Sequence, residues 1–180
     1  MTEHELIKGC VKNNATCQRM LFEQYAGRMM TICLRYSCDE TEAEDMLQEA
    51  FIRIFKYINQ YKFEGSFEGW LKRIAVNTAL KILQKKSIHF SEINDELQDL
   101  QMAEADALSN LSEQEILKLI SNLPLGYRVV FNLFVLEGYS HNEIADMLKI
   151  NTVTSRSQLA KAKRRLQEQI KSQQKLHIDE

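Results

Sequence analysis

The chain has 180 residues, 44% of them hydrophobic, and a formal net charge of −2. That is enough apolar material for one compact domain or two small ones, and it excludes disorder of the whole chain. The opening "MTEHELIKGC" carries acid where a secretory signal needs base and then an apolar run, and no stretch approaches the roughly eighteen apolar residues of a membrane span, so a cytoplasmic protein without membrane insertion is expected.

The near-neutral total hides segregated charge. Residues 39–49 hold six acids and no base, 70–86 five bases and no acid, 91–115 eight acids and no base, and 149–171 seven bases against Glu168. A single block is commonly a solvated helix face; four alternating blocks point to separate contact surfaces. Proline occurs once, glycine six times, and strictly alternating β-branched runs are scarce, so the expected fold is all-α.

The four cysteines, Cys10, Cys17, Cys33 and Cys38, lie in the first forty residues. None forms a Cys-x-x-Cys pair or has a histidine at metal-ligand spacing, so they read as free, buried or half-buried thiols. His4, His89, His141 and His177 are scattered, and "HNEIADM" lacks the second histidine of a zinc-protease helix. No metal and no cofactor are expected.

From Asp45 to Ile58, Leu47, Ala50, Phe51, Ile54 and Ile58 share one helical face and leave Asp45, Gln48, Glu49, Arg53 and Lys56 on the other. The segment "YKFEGSFEG" follows, a tight Gly- and Ser-containing loop expected to hold Tyr61, Phe63 and Phe67 near its surface. The next helix, about 68–86, turns Leu71, Ile74, Ala75, Thr78 and Ile82 inward and carries Arg73, Asn77, Lys81 and Lys85 as a stripe at fourfold steps. Aromatic rings stack on unpaired bases and such a stripe neutralises phosphates, so this stretch has the chemistry of a single-strand binder. Core packing is the competing reading for each ring, strongest for Phe51 and Trp70 and weakest for Phe63 and Phe67 beside glycine and glutamate.

Residues 87–112 are polar and acidic and read as an exposed linker, with room for a short helix around 95–107. Three helical segments follow, at 116–123, 127–137 and 140–149, punctuated by "NLP" and Gly138. Ser140 and Glu143 have capping-box spacing, and residues 149–152 leave room only for a sharp reversal. The helix beyond is expected to be capped by Thr152 or Thr154, with Leu159, Ala162, Leu166 and Ile170 inward and Arg156, Ser157, Gln158, Lys161, Lys163, Arg164 and Arg165 outward. This is a helix-turn-helix pattern with donors near the start of its second helix; a basic surface helix of an ordinary bundle is the alternative.

Two blocks together carry a resemblance. "EAEDMLQEAFIRIFKYINQYKFEGSFEGWLKRIAVNTALKILQKK" resembles the first domain of the extracytoplasmic-function (ECF) group of bacterial sigma factors, and "LPLGYRVVFNLFVLEGYSHNEIADMLKINTVTSRSQLAKAKRRL" resembles their second, in the right order over most of residues 5–170. The resemblance implies two small helical domains: 1–86 for core-polymerase binding and −10 recognition and melting, and 113–180 as a helix-turn-helix domain for the −35 element, joined by the acidic linker 87–112. It implies that Asp45, Gln48, Glu49, Phe51 and Arg53 meet core RNA polymerase. Lys62, Phe63, Ser66, Phe67 and Trp70 would correspond to the strand-opening element of promoter DNA, with Arg73, Asn77, Lys81 and Lys85 tracking the −10 DNA. Thr154, Arg156, Ser157, Gln158, Lys161, Lys163 and Arg164 fall at −35 contact positions. An anti-sigma factor partner is implied as well. The family pattern has Gly-Thr and Ser-Arg where this chain has Val153-Thr154 and Ser157-Gln158, which makes Arg156 the better candidate for a direct base or phosphate contact.

With no phosphate loop, strand opening would draw on binding energy, and the chain is read as a monomer and not as an enzyme. The acidic linker is open to two readings, a mimic of nucleic acid inside a positively charged channel or a solvated tether. The competing function is a conventional helix-turn-helix regulator whose first domain senses a ligand or dimerises.

Overall fold

The computed structural model describes residues 1–85 and 113–176. The proposed linker 87–112 and its short helix lie outside the described residues. The chain divides into two compact units between residues 88 and 89. All regular structure among the described residues is helical, as the periodicity indicates.

In the first unit, α1 (Glu3–Val11), α2 (Ala15–Tyr36), α3 (Glu40–Tyr57) and α4 (Phe67–Lys85) pack together, with one 3-10 turn at Ile58–Gln60 after α3. Short polar side chains start the first three. Thr2 and Glu5 form a capping box, the Thr2 hydroxyl accepting from the Glu5 amide at 3.2 Å and the Glu5 carboxylate from the Thr2 amide at 2.8 Å. Hydrogen bonds from the Thr2 amide, and then from its hydroxyl, to the charged carboxylate hold the Glu5 carboxyl below its ordinary value. Asn14 accepts from the Cys17 amide at 3.1 Å, and Asp39 from the Glu42 amide at 2.8 Å. Between α1 and α2 the helices close on Gly9, where any Cβ would collide with the Cys17 sulfur. The core is made by Leu21, Met29, Ile32 and Cys33 of α2, Met46, Ala50 and Ile54 of α3, and Leu71, Ala75 and Ala79 of α4.

No disulfide joins the four cysteines. Cys10 and Cys33 are buried and Cys17 half-buried, while Cys38 is exposed because it lies beyond the end of α2. Burial pushes the Cys10 thiol up to about 11 and that of Cys33 to about 12.

In the second unit, α5 (Glu113–Ser121), α6 (Leu125–Phe131), α7 (His141–Leu148) and α8 (Thr152–Leu176) are helical. After α6 the backbone widens into one π-helical stretch, Asn132–Leu136, which ends at left-handed Gly138 (φ 78°). The sequence pattern reads 127–137 as one helix; the wider turn leaves the side-chain spacing nearly intact. The buried Arg128 donates from Nη1 to the Ser121 carbonyl at 3.0 Å, placing a cation on the last turn of α5. Leu123, Tyr127 and Ala162 form a core between α6 and α8, flanked by Phe131 and Leu166.

Candidate nucleic-acid interface

The loop between α3 and α4 is built around a cluster of packed rings. Tyr61 lies 5.0 Å from both Phe63 and Phe67 and 5.6 Å from Trp70, measured between ring centroids. Its hydroxyl donates to the Gly65 carbonyl at 2.9 Å and closes the loop, while the Ser66 hydroxyl accepts from the Gly69 amide at 2.9 Å and starts α4. Phe63 is 48% exposed with a left-handed backbone (φ 59°), a conformation that costs a non-glycine residue about 1–2 kcal/mol. Its ring rests on His4, 4.7 Å away.

Phe67 departs from the expectation of a surface ring. It is buried, edge-on to Tyr25 at 5.7 Å and stacked on Trp70 at 5.7 Å. The reason is its position: as the first residue of α4 it points into the space between α2 and the loop. Tyr25 in turn donates to Glu3 at 2.6 Å, and burial together with that bond pushes its hydroxyl up to about 12. Phe67 is therefore the anchor, Trp70 half-buried upon it, and Phe63 the exposed ring, with Lys62 and Ser66 exposed beside it.

Along α4, Arg73, Asn77, Lys81 and Lys85 are all exposed on one stripe. Lys72, which lies next to the stripe, is occupied by Glu68 at 3.3 Å, and Glu68 also holds Arg28 at 2.8 Å. On α3, Asp45 and Gln48 are exposed, whereas Glu49 and Arg53 are half-buried and paired at 2.7 Å. Phe51, expected among the docking residues, is buried under Phe22 at 4.7 Å and beside Phe55 at 5.9 Å, so it supports that face from beneath. Ile52 was not singled out by the sequence pattern; it is 61% exposed and continues the Asp45, Gln48 stripe.

In the second unit the Ser140–Glu143 capping box forms, with the Glu143 amide to the Ser140 hydroxyl at 3.3 Å and the Ser140 amide to the Glu143 carboxylate at 2.8 Å. Left-handed Lys149 (φ 58°) ends α7. The cap of α8 is Asn151, whose side chain accepts from the Thr154 amide at 2.6 Å, and not Thr152 or Thr154 as the pattern indicated. Asn151 takes the cap because Thr152 is already helical, which puts the cap position one residue earlier.

The inward residues Leu159, Ala162 and Ile170 of α8 are buried as the period indicates, but the outer face differs from the expectation. Val153, Arg156, Ala160 and Lys163 are exposed, Arg164, Ser157, Thr154 and Lys161 half-buried, and Ser155 and Gln158 buried. Gln158 was expected on the outer face; instead its amide packs on α6 opposite Gly126, whose added Cβ would lie 3.5 Å from it. Ser155 bonds His141 Nδ1 at 2.8 Å, tying the first turn of α8 to the first of α7, and His141 stacks on Phe134 at 4.5 Å. Burial, with Arg156 and Lys163 near it, holds the His141 imidazole below its ordinary value.

Comparison with known proteins meets this geometry unit by unit. The family model for Sigma-70 region 2 matches residues 21–88, and that for Sigma-70, region 4 matches residues 113–166. The ECF RNA polymerase sigma-E factor of Haemophilus influenzae is 26% identical, over 94% of this chain and 96% of its own length. That of Escherichia coli strain K12 is 27% identical over 91% of each. The chain belongs to the ECF group of RNA polymerase sigma factors. The sigma factor's fold is also found in the sigma factor RpoE of Bartonella quintana, solved in complex with the anti-sigma factor NepR, with a TM-score of 0.54 at 18% identity over 85% of this chain and 96% of that one. Among the described residues no helix of the sigma factor is long and apolar enough to cross a membrane.

Proposed function

We propose that this sigma factor divides promoter recognition between its two units: 1–86 docks on core RNA polymerase and opens the −10 element, and 113–180 reads the −35 element as duplex. The observation that carries this is the pairing, in one chain, of an exposed ring on a strained loop leading into a cationic stripe with a helix-turn-helix whose second helix turns Arg156 and Lys163 outward. A duplex reader has no use for the first element. Phe63 and Trp70 offer faces to unpaired bases, while Arg73, Lys81 and Lys85 meet phosphates. Arg156 reaches a base edge, and Lys163 and Arg164, further along α8, meet the backbone. Asp45, Gln48 and Ile52, supported by Phe51 and the Glu49–Arg53 pair, form the polymerase-docking stripe. As a sigma factor it acts through binding in the cytoplasm, without an enzymatic step of its own, and it is a monomer. An anti-sigma factor holds it in reserve, a partner supported by the B. quintana complex.

The test is association and promoter selection with core polymerase. The free chain should bind promoter duplex weakly, and adding core polymerase should give stable, sequence-specific complexes whose bound fragments share −35 and −10 elements. Asp45→Lys combined with Ile52→Lys should weaken polymerase binding at least about tenfold, or 1.4 kcal/mol, at unchanged helix content. Tight binding of the free chain to a palindrome would instead establish a conventional regulator, and undiminished association of the folded double variant would remove α3 from the docking surface.

A further inference from the structure

Val153 is the second residue of α8 and the most exposed large apolar side chain of the second unit's described residues, at 65%. Its exposure contributes nothing to its own fold: a β-branched residue has low helix propensity, and its isopropyl group lies away from the core made by Leu123, Tyr127 and Ala162. One exposed valine is ordinary on a protein surface. This one shares a face with Arg156, Ala160 and Lys163, at steps of three, four and three along the helix, all of them exposed.

The face has a definite chemistry. An apolar group, then a guanidinium, then a small methyl, then an ammonium run down one side of the helix that the −35 reading places in the major groove. At about 1.5 Å rise per residue, Val153 and Arg156 are about 4.5 Å apart along the axis, between one and two base-pair steps of about 3.4 Å. The guanidinium is a match for guanine O6 and N7. In that groove of unmodified DNA the apolar feature of a base edge is the 5-methyl of thymine, and it is read by contact with an aliphatic side chain.

We propose that Val153 is a specificity-determining residue that packs its isopropyl group on the 5-methyl of a thymine neighbouring the base pair read by Arg156. The inference rests on the −35 reading of α8. Ser155 and the Asn151 cap hold the turn that carries Val153, so the side chain is delivered on a fixed backbone. The contact adds selectivity and little affinity, because burying one methyl against another removes a small apolar area.

The experiment uses full-length protein with core RNA polymerase on promoters carrying a randomised −35 element. The wild type should favour thymine at one position, and replacing that thymine by deoxyuridine, which differs only in the missing methyl, should lower complex formation about threefold to fourfold. Val153→Ala, which favours the helix and so folds, should lose the preference and respond equally to thymine and deoxyuridine, while Val153→Ile should keep both. If the wild type selects a −35 sequence but ignores deoxyuridine at every thymine, or if Val153→Ala stays as sensitive as the wild type, the methyl contact is overturned while the −35 reading stands. If no −35 sequence is selected at all, the reading of α8 falls first and the inference with it.

Discussion

The aromatic loop of the first unit and helix α8 of the second solve one problem in opposite ways. In the proposed function, both present a side chain to DNA in a fixed direction. Phe63 has no helix to aim it; its direction comes from a left-handed backbone and from contacts with His4 and with Tyr61, the latter resting on the buried Phe67. The outward side chains of α8 are aimed by helical period, because the opposite face of the helix is fixed to α6 and α7 through Ala162, Gln158 and Ser155. Orientation in the loop therefore depends on ring packing, and orientation in the helix on a cap and a polar tie. The two should fail differently when disturbed.

The largest effect is expected at the buried anchor of the loop. Phe67→Ala removes a ring in contact with Tyr25, Tyr61 and Trp70, and should cost about 3–5 kcal/mol of the first unit's stability. Trp70 loses its stacked partner, so its fluorescence should report both the wetter environment and the lower denaturation midpoint. A loss below about 1 kcal/mol would mean that the ring cluster is not what holds the loop.

At the exposed ring the expected pattern reverses. Phe63→Ala should leave folding within about 0.5 kcal/mol, since almost half of the ring is in solvent. It should instead weaken strand opening by about 1–3 kcal/mol, measured as lower permanganate reactivity of promoter thymines at equal closed-complex occupancy. Phe63→Gly, which suits the positive φ, should be as deficient in opening and no less stable than the alanine variant. Recovery on a pre-melted template places the defect at opening; no recovery would assign Phe63 to docking.

The same contrast explains what the sequence made legible. Helices α3, α4 and α7 announce themselves by apolar period and by Ser140-x-x-Glu143, and the exposed stripe Arg73, Asn77, Lys81, Lys85 follows from the period alone. Periodicity also misled. It fixes which residues share a face but not whether a polar one packs inward: the inward place of Gln158 depends on a space such as that above Gly126, and the outward exposure of the apolar Ile52 and Val153 is likewise something no local pattern records. Phe67 reads as a surface ring for a related reason, since its neighbours in sequence are glycine, serine and glutamate while its neighbours in space come from α2 and from Tyr61. The helices of the first forty residues left a signal in Thr2-x-x-Glu5 and in Asn14, both used as caps.

The smallest expected effect tests the tie that aims the helix. His141 joins α7 to α8 through Ser155 and lies against Phe134; the charged groups acting on it are Arg156 and Lys163, both of which disfavour a protonated ring. Its folded-state value is depressed, so below the ordinary 6.5 the unfolded chain binds the proton more readily than the folded one. The histidine's contribution to stability is therefore present above 6.5 and declines as the pH falls from there towards the folded-state value. In the full chain, His141 ring resonances should titrate below 6.5, and backbone resonances of α7 and α8 should report a modestly lower denaturation midpoint under mild acid. His141→Gln keeps a polar group near Ser155 but does not titrate, and should flatten that slope. If the slope survives the substitution, another group carries it, and the His141–Ser155 tie does not set how α8 responds to pH.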